Sequence, residues 1–344
     1  MTWVVAIDKF RGTATQEELS TAIAEVADRH GIETRLFPTS DGGEGLLDVV
    51  GGPNRRTSVT GPLGEPVEAG WFADQGGLAV IESARASGLL LAGGDAGNDP
   101  WNANSRGTGE LVRAAREAGA DHIVIGLGGS ACTDGGRGAL DVLLPAVRQD
   151  PGLGRALTVC VDVDARFLDA AVVFGPQKGA DAAMIGRLTE RLRRERRRMI
   201  HDHGVDPQEV TGSGAAGGMA GAFACLGATL VPGFDHVAQL SGLDTAMRTA
   251  ELVITGEGRL DATSFAGKVV GGVAALAQAS QVPVVAIVGA MTPGVSASFP
   301  VISLTHRFGR DRAFGSTLAC VREATESLAS DTPVPDHHPI EGET

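Results

Sequence analysis

The chain is organised around the stretch Ile123-Val-Ile-Gly-Leu-Gly-Gly-Ser-Ala-Cys-Thr-Asp-Gly-Gly136. Its pattern predicts a buried strand over residues 123–125, a glycine loop over 126–136 and a helix over 137–144. Glycines let backbone amides approach an anion, and the N-terminus of the following helix adds partial positive charge. The stretch therefore indicates an anion-binding site at the end of a strand.

Glycines and polar residues inside this loop are the first candidates for a functional site. Gly128, Gly129 and Ser130 offer backbone amides and a hydroxyl to a phosphate. Asp134 can hold a cation or a proton. A tight turn that binds no ligand is the competing interpretation, and one such loop alone does not decide between them. The interpretation as a ligand site is strengthened because loops that combine glycines with charged residues recur after other strands of the chain.

Three further strands run into loops that combine glycines with charged side chains. These loops are Asp8-Lys-Phe-Arg-Gly12, Ser40-Asp-Gly-Gly-Glu-Gly45 and Thr255-Gly-Glu-Gly-Arg-Leu-Asp261. Open α/β sheets bind their ligands in crevices beyond the carboxyl ends of the strands. The sequence therefore predicts a ligand site that is assembled from several loops at strand ends.

Hydrophobic runs at both ends of the chain predict one doubly wound parallel sheet with interleaved helices. Short connections rich in glycine and proline between residues 56 and 81 predict hairpins, so the middle of the chain should form an inserted, mixed α/β domain. The five buried strands of the doubly wound sheet are expected at residues 4–7, 34–37, 252–255, 284–288 and 301–304. The expected divisions of the chain are residues 1–45 with 235–330 for the doubly wound domain, 46–234 for the inserted domain and 331–344 for a disordered tail.

Composition disfavours several functional classes. Acidic residues outnumber basic ones 42 to 29 in the 344-residue chain, and the net charge of −13 argues against general nucleic-acid binding. The apolar run at the N-terminus is too short for a membrane span and lacks the basic region of a signal peptide. The four cysteines show no C-x-x-C spacing, so we expect reduced thiols and a cytoplasmic location.

Three familiar motifs are set aside on context. Gly212–Gly217 matches the G-x-G-x-x-G pattern, but residues 205–210 do not form the buried strand that a dinucleotide-binding fingerprint requires. Gly267-Lys268 lacks the Ser or Thr that follows the lysine in a P-loop. The arginine-rich run over residues 187–198 is predicted to be the solvated face of a helix that spans residues 182–203.

Carboxylates and cations in the strand-end loops together meet the requirements of phosphoryl transfer, although each carboxylate alone is more often a cap or turn residue. Carboxylates hold Mg²⁺ or accept a hydroxyl proton, whereas amides, lysine and arginine neutralise phosphate charge. We assign catalysis to Asp41, Asp134 and Asp261, and metal binding to Glu44 and Glu257. The remaining charged residues expected to bind substrate or phosphate are Asp8, Lys9, Arg11, Lys178, Arg259 and Lys268.

Nine motifs, in order, carry a resemblance to a known family. The series resembles the bacterial type 1 glycerate kinase family and extends from residue 4 to about residue 330. The resemblance implies ATP- and Mg²⁺-dependent phosphorylation of D-glycerate, and a two-domain α/β fold with a flavodoxin-like part. The motifs are Asp8-Lys-Phe-Arg-Gly12, Ser40-Asp-Gly-Gly-Glu-Gly45, Gly61-Pro-Leu-Gly64, Arg106-Gly-Thr-Gly-Glu110, Gly128-Gly-Ser-Ala-Cys-Thr-Asp-Gly-Gly136, Phe174-Gly-Pro-Gln-Lys-Gly179, Gly214-Ala-Ala-Gly-Gly218, Thr255-Gly-Glu-Gly-Arg-Leu-Asp261 and Gly267-Lys268.

The chain departs from the family pattern at a few places. Ser40 stands where the family often has Ala, and Thr133 where it has Asn; the segment from Leu140 to Val159 is also short, and Asp164-Ala-Arg166 replaces an Asn-Pro. The acidic and glycine positions are kept, so we expect the chemistry to be kept. A kinase of another small hydroxy acid and a catalytically silent ligand-binding homologue stay as alternatives. The sequence leaves open which hydroxyl is phosphorylated and whether the chain forms a homo-oligomer.

Overall fold

The computed structural model describes residues 1–265 and 267–330, and the chain divides into two compact units. Unit 1 comprises Met1–Ser40 and the chain from Val237 onward, and unit 2 comprises Asp41–His236. The boundaries expected from the sequence, residues 45 and 235, lie a few residues away. The loop after Ser40 belongs to unit 2 because it packs closely there: a Cβ added at Gly42 would lie 2.5 Å from the Cα of Gly233. The tail over residues 331–344 lies outside the described residues.

Thirteen strands are present in the described part of the chain. They are β1 (Thr2–Ile7), β2 (Glu33–Leu36), β3 (Arg55–Thr60), β4 (Pro66–Ala73), β5 (Leu78–Glu82), β6 (His122–Gly126), β7 (Leu157–Val161), β8 (Thr229–Pro232), β9 (Leu252–Gly256), β10 (Arg259–Leu260), β11 (Val284–Val288), β12 (Ala290–Met291) and β13 (Val301–Ser303).

The helices of the described residues alternate with these strands in most of the chain. They are α1 (Gln16–Arg29), α2 (Leu46–Val49), α3 (Ala84–Ser87), α4 (Gly94–Gly97), α5 (Arg106–Glu117), α6 (Arg137–Gln149), α7 (Ala170–Phe174), α8 (Ala182–His203), α9 (Ala215–Cys225), α10 (Gly233–Ser241), α11 (Leu243–Met247), α12 (Val269–Ala279), α13 (Leu304–Phe308), α14 (Arg310–Gly315) and α15 (Thr317–Ser330).

The main sheet of unit 1 is parallel throughout, in the order β13-β11-β9-β1-β2. Numbered by their appearance in this unit, the strands run 2-1-3-4-5, which is the flavodoxin-like doubly wound order. Successive side chains of the central strands point to opposite faces, so both faces are apolar and covered. Helices α1 and α15 share a core with one face, and α12 shares a core with the other. The predicted doubly wound domain is confirmed.

Unit 2 contains a six-stranded mixed sheet in the order β3-β4-β5-β6-β7-β8. The first three strands form antiparallel pairs, as the short glycine and proline connections predict, and β5 to β8 pair in parallel. Its own core gathers apolar side chains from this sheet and from helices including α5, α6, α8 and α9. The predicted inserted α/β architecture is thus confirmed.

Local differences from the sequence-based expectations have simple causes. The strand expected to be buried at residues 34–37 is β2, which is mostly exposed because it lies at the sheet edge. The sequence pattern also predicts a helix over residues 264–279, but α12 begins only at Val269, because a 3₁₀ turn (Ala262–Phe265) precedes it and Gly267 adopts a φ of +79°. A left-handed residue of that kind interrupts a right-handed helix.

The arginine-rich helix has the bounds and the face that the sequence predicts. Helix α8 buries Leu188, Leu192 and Met199, while most of its arginines face solvent. The guanidinium carbons of Arg187 and Arg191 lie 4.2 and 3.9 Å from the centre of the Trp101 ring. Cation–π contacts of this kind attach the loop around Trp101 to α8. No helix in the described part of the chain is long and apolar enough to cross a membrane.

Candidate active site

A pocket of about 340 Å³ opens in unit 1 at the carboxyl ends of β1 and β9. These two neighbouring strands mark the point where the chain order of the sheet reverses, and open α/β sheets bind ligands at such a point. Phe10 is buried on the pocket's inner side, and Ala313 and Phe314 of α14 add apolar surface. The lining residues are Asp8, Lys9, Phe10, Arg11, Thr13, Glu257, Gly258, Arg259, Gly289, Ala313 and Phe314.

Five of the predicted site residues line this pocket together. Three are cations, Lys9, Arg11 and Arg259, and two are carboxylates, Asp8 and Glu257. They come from two loops that are far apart in sequence but adjacent in space, because β1 pairs with β9 and the amide of Asp8 donates to the carbonyl of Gly256 over 2.9 Å. The structure therefore brings these five charged residues of the strand-end loops together inside unit 1.

Glu257 is a carboxylate with a perturbed environment in this pocket. Burial raises its pKa above the usual range, and the negative charges of Asp8 and Asp261 act in the same direction, while a hydrogen bond with Ser264 and the charge of Lys268 oppose them. The Oε1 atom of Glu257 is buried and has no hydrogen-bond partner in the structure. A buried carboxylate oxygen without a partner is costly unless a cation or a donor reaches it.

Magnesium fits this donor set. Proteins usually hold Mg²⁺ through one or two carboxylates, with waters and substrate phosphates completing the shell. The unpartnered Oε1 of Glu257, with Asp8 in the same pocket, supplies such a set. A dedicated cage is a different matter: among residues 1–265 and 267–330, no group of three or more His, Cys, Asp or Glu side chains is placed to hold a metal.

Asp261 and Lys268 form a second small cluster in unit 1, joined through Thr263. The Oδ1 atom of Asp261 accepts from the amide of Thr263 over 2.8 Å and from its hydroxyl over 2.6 Å. These hydrogen bonds lower the pKa of Asp261 below its usual range, the hydroxyl contributing most. Lys268 donates from Nζ to the same hydroxyl over 2.8 Å. Asp261 therefore remains charged, and part of its hydrogen-bonding capacity is used inside the turn.

The glycine loop of unit 2 lies against the loop that carries Asp41. A Cβ added at Gly128 would lie 2.8 Å from the Cα of Gly43, and one added at Gly43 would lie 3.1 Å from the Cα of Gly128. Real Cβ atoms essentially never come as close as 2.8 Å, so Gly128 must be glycine for the two loops to approach, and a Cβ at Gly43 would push its neighbours away by a few tenths of an ångström. The structure thus brings Gly128 close to the Asp41 loop within unit 2.

Lys178 is hydrogen-bonded to the glycine loop. Its side chain is buried, and Nζ donates to the hydroxyl of Ser130 over 3.1 Å and to the carbonyl of Cys132 over 2.6 Å. Burial lowers the pKa of the ammonium, while the charge of Asp134 favours its charged form. The sequence indicated a cation beside glycines. It did not indicate that the ammonium of Lys178 would be hydrogen-bonded to the glycine loop.

Asp134 joins the ends of two helices. Its Oδ2 atom accepts from the amide and the hydroxyl of Ser105, over 3.0 and 2.8 Å, and from the amide of Gly138 over 3.0 Å. Its Oδ1 atom accepts from the amide of Gly136 over 3.0 Å. Four donors at the starts of α5 and α6 thus satisfy this buried carboxylate, as expected of a cap.

The loop with Asp41 and Glu44 is held by a residue that the sequence reading missed. Glu82, only 3% exposed, accepts from the amides of Gly45 and Leu47 over 2.9 and 3.0 Å. Asp41 is half-buried and its Oδ1 atom accepts from the amide of Gly43 over 3.0 Å, while Glu44 is exposed. An acidic residue that ends the apolar strand β5 was the available signal for Glu82.

Comparison with known proteins places the whole chain in one family. A model of the glycerate kinase family matches residues 3–152 and 144–331. Glycerate 2-kinase of Escherichia coli is 37% identical over 348 residues, covering 90% of this chain and 89% of that protein. A glycerate kinase of Halalkalibacterium halodurans is 35% identical, covering 87% and 88%. A crystal structure of a protein assigned as glycerate kinase 2, from Salmonella typhimurium LT2, superposes with a TM-score of 0.78 at 32% identity, covering 96% of this chain and 97% of that one. The chain belongs to the glycerate kinase family of phosphotransferases.

Proposed function

We propose that the protein transfers the γ-phosphoryl group of ATP to D-glycerate in a Mg²⁺-dependent reaction in the cytoplasm. One observation carries the proposal: in unit 1 the pocket at the reversal point of a flavodoxin-like sheet is lined by three cations and two carboxylates. A phosphoryl donor needs cations for its phosphates and carboxylates for its metal ion. Family membership supplies the acceptor, because the relatives compared above are named for glycerate.

The pocket residues divide into two roles by charge. We propose that Lys9, Arg11 and Arg259 bind the phosphate oxygens of the nucleotide. Their positive charges would stabilise the negative charge on these oxygens during phosphoryl transfer. Asp8 and Glu257 would hold Mg²⁺, which, when bound, neutralises phosphate oxygens and helps to orient them. The raised pKa of Glu257 agrees with this role, because a nearby cation favours the charged form that burial disfavours.

The acceptor side of the reaction needs a carboxylate near the attacking hydroxyl. That oxygen forms a new bond to the γ-phosphorus, the bond from this phosphorus to the β–γ bridging oxygen breaks, and the hydroxyl proton passes to a base. We assign the base to Asp41, which lies beside the amide-rich loop of Gly128 and Gly129 in unit 2. Asp134 is the weaker candidate because its oxygens are occupied by four donors.

The name of one relative suggests the position of phosphorylation. The E. coli protein is a glycerate 2-kinase, at 37% identity over 90% of this chain. We therefore propose 2-phosphoglycerate as the product. Proton and phosphorus NMR of the reaction mixture would distinguish it from 3-phosphoglycerate by coupling of phosphorus to the C2 or the C3 protons.

The proposal is tested by ADP release from the purified protein with D-glycerate, L-glycerate and a panel of short hydroxy acids. We expect release only with ATP, Mg²⁺ and D-glycerate together. Faster release with another hydroxy acid would reassign the acceptor. The absence of release with every acceptor, from protein that melts cooperatively, would favour a silent ligand-binding homologue.

The base is tested by replacing Asp41 with Asn, which keeps an oxygen that can accept from the amide of Gly43. We expect turnover to fall by about 100-fold, on the order of 2.7 kcal/mol of transition-state stabilisation, while the melting temperature stays unchanged. Asp134→Asn and Asp261→Asn serve as comparisons. Full turnover in Asp41→Asn, with a large loss in one of the other two variants, would move the base to that residue.

A further inference from the structure

Phe314 is exposed to an unusual degree for a large aromatic side chain at the edge of a charged pocket. It lies on α14, lines the unit 1 pocket and keeps 48% of its surface accessible. The other markedly exposed phenylalanine in the described residues, Phe265, packs its ring against Phe299 with 6.3 Å between ring centres. Arg310, one turn earlier on α14, places its guanidinium carbon 5.2 Å from the centre of the Phe314 ring.

The pocket therefore combines two kinds of surface. Phe10, Ala313 and Phe314 supply apolar surface, and the charged residues of the strand-end loops supply three positive and two negative groups. A ligand that suits both has a flat apolar part and several negative charges. Glycerate has no such flat part, whereas a nucleoside polyphosphate has both. A volume of about 340 Å³ also lies in the range of small-molecule sites.

We propose that Phe314 is the stacking platform for the nucleobase of the phosphoryl donor, and that the unit 1 pocket is the nucleotide-binding part of the enzyme. This inference rests on the proposed function for the identity of the donor. An aromatic ring stacks on any base, because every base has a π-face. Phe314 should accordingly contribute affinity for the nucleotide with little preference among bases.

The test compares Phe314→Ala, Phe314→Leu and Phe314→Tyr with the unchanged enzyme. Stacking on an aromatic side chain typically changes affinity by about 5- to 150-fold. We expect Phe314→Ala to raise KM for ATP and for GTP by similar factors in that range, with kcat and KM for D-glycerate within about twofold. Phe314→Tyr should retain the affinity, and Phe314→Leu should fall between the two.

Phe265→Ala is the matched control, because it removes an exposed phenylalanine of the same unit that does not line the pocket. A direct titration with ADP, followed by calorimetry, measures binding without turnover. It should weaken in Phe314→Ala and stay unchanged in the control. Thermal unfolding checks that each variant is folded.

Three outcomes would overturn the inference while leaving the kinase activity in place. They are an unchanged ADP affinity in Phe314→Ala, a rise in KM for D-glycerate alone, and a loss of ADP affinity in the control as large as in the variant. If the unchanged protein is inactive with every acceptor, the proposed function fails, and the ADP titration still decides whether Phe314 contacts a nucleotide.

Discussion

Glu257 shows how a single residue can carry both a cost and a function. Its carboxyl is partly buried, one oxygen lacks a partner, and burial raises its pKa. The folded protein therefore binds a proton at Glu257 more tightly than the unfolded chain does. From the unfolded pKa, near 4.5, up to the raised folded value, stability falls as pH rises, and the full penalty persists above that range.

Glu257→Gln should remove this penalty together with the charge that the reaction needs. We expect the melting temperature of the variant to exceed that of the unchanged protein by a margin that grows as pH rises above 4.5 and levels off above the raised pKa of Glu257, while turnover falls by about tenfold or more. Thermal unfolding across this pH range measures the first effect. Glu117→Gln, at an exposed ion pair with Arg113, is the control and should show no such trend. A margin that shrinks as pH rises would contradict the assigned shift.

At the scale of elements, Lys178 fixes the shape of the glycine loop. A buried ammonium is tolerated where good acceptors surround it, and here two acceptors of the loop, one a hydroxyl and one a carbonyl, receive its hydrogen bonds. Removing the ammonium leaves the buried carbonyl of Cys132 without this donor. The glycine loop, which approaches Gly43, would then lose the hydrogen bonds that Lys178 donates to it.

Lys178→Met should therefore destabilise the protein and also lower its turnover. An unsatisfied buried acceptor costs about 1–3 kcal/mol, which lowers the melting temperature of a unit of this size by roughly 3–10 °C. We also expect turnover to fall, because the loop beside Asp41 shifts. Circular dichroism melting and steady-state kinetics measure the two effects. An unchanged melting temperature with a raised KM for ATP would instead mean that Lys178 contacts the phosphates directly.

Sequence reasoning succeeded at this scale wherever a pattern is local. Thr15 with Glu18 three residues later predicts a capping box at the start of α1, and the structure contains it. Helix α8 has the predicted bounds. Sequence reasoning failed wherever the deciding contact comes from elsewhere in the chain. Glu82 supports a loop 37 residues earlier through the amide of Gly45, and nothing near it in sequence indicates that partner.

At the scale of the whole molecule, the doubly wound and inserted parts could be predicted because strand spacing and loop length are visible in the sequence. The order of strands in unit 1 could not, since neighbours β1 and β9 are separated by more than two hundred residues. The resemblance supplied that order indirectly. For the candidate site, the sequence predicted the residue types of the unit 1 pocket, but not Phe314, whose role depends on exposure.

The tail offers a test of how much of the chain the enzyme needs. Residues 331–344 are rich in proline, histidine and acid and have little apolar surface to bury. Deleting them should leave activity unchanged and the melting temperature within about 2 °C of the full chain. Differential scanning calorimetry and the ADP-release assay measure both quantities. A fall of several degrees would mean that the tail packs on the folded enzyme.

The discontinuity of unit 1 has a consequence for how the protein is made. On the ribosome, β1 and β2 emerge before unit 2, but the strand that pairs with β1 on its other side, β9, is synthesised only after the whole of unit 2. At 5–20 residues per second this delay is roughly tens of seconds. Unit 2 is continuous and can fold during this delay. The apolar strand β1 meanwhile lacks its pairing with β9. Newly made chains should therefore depend on chaperones chiefly through the segment Met1–Ser40.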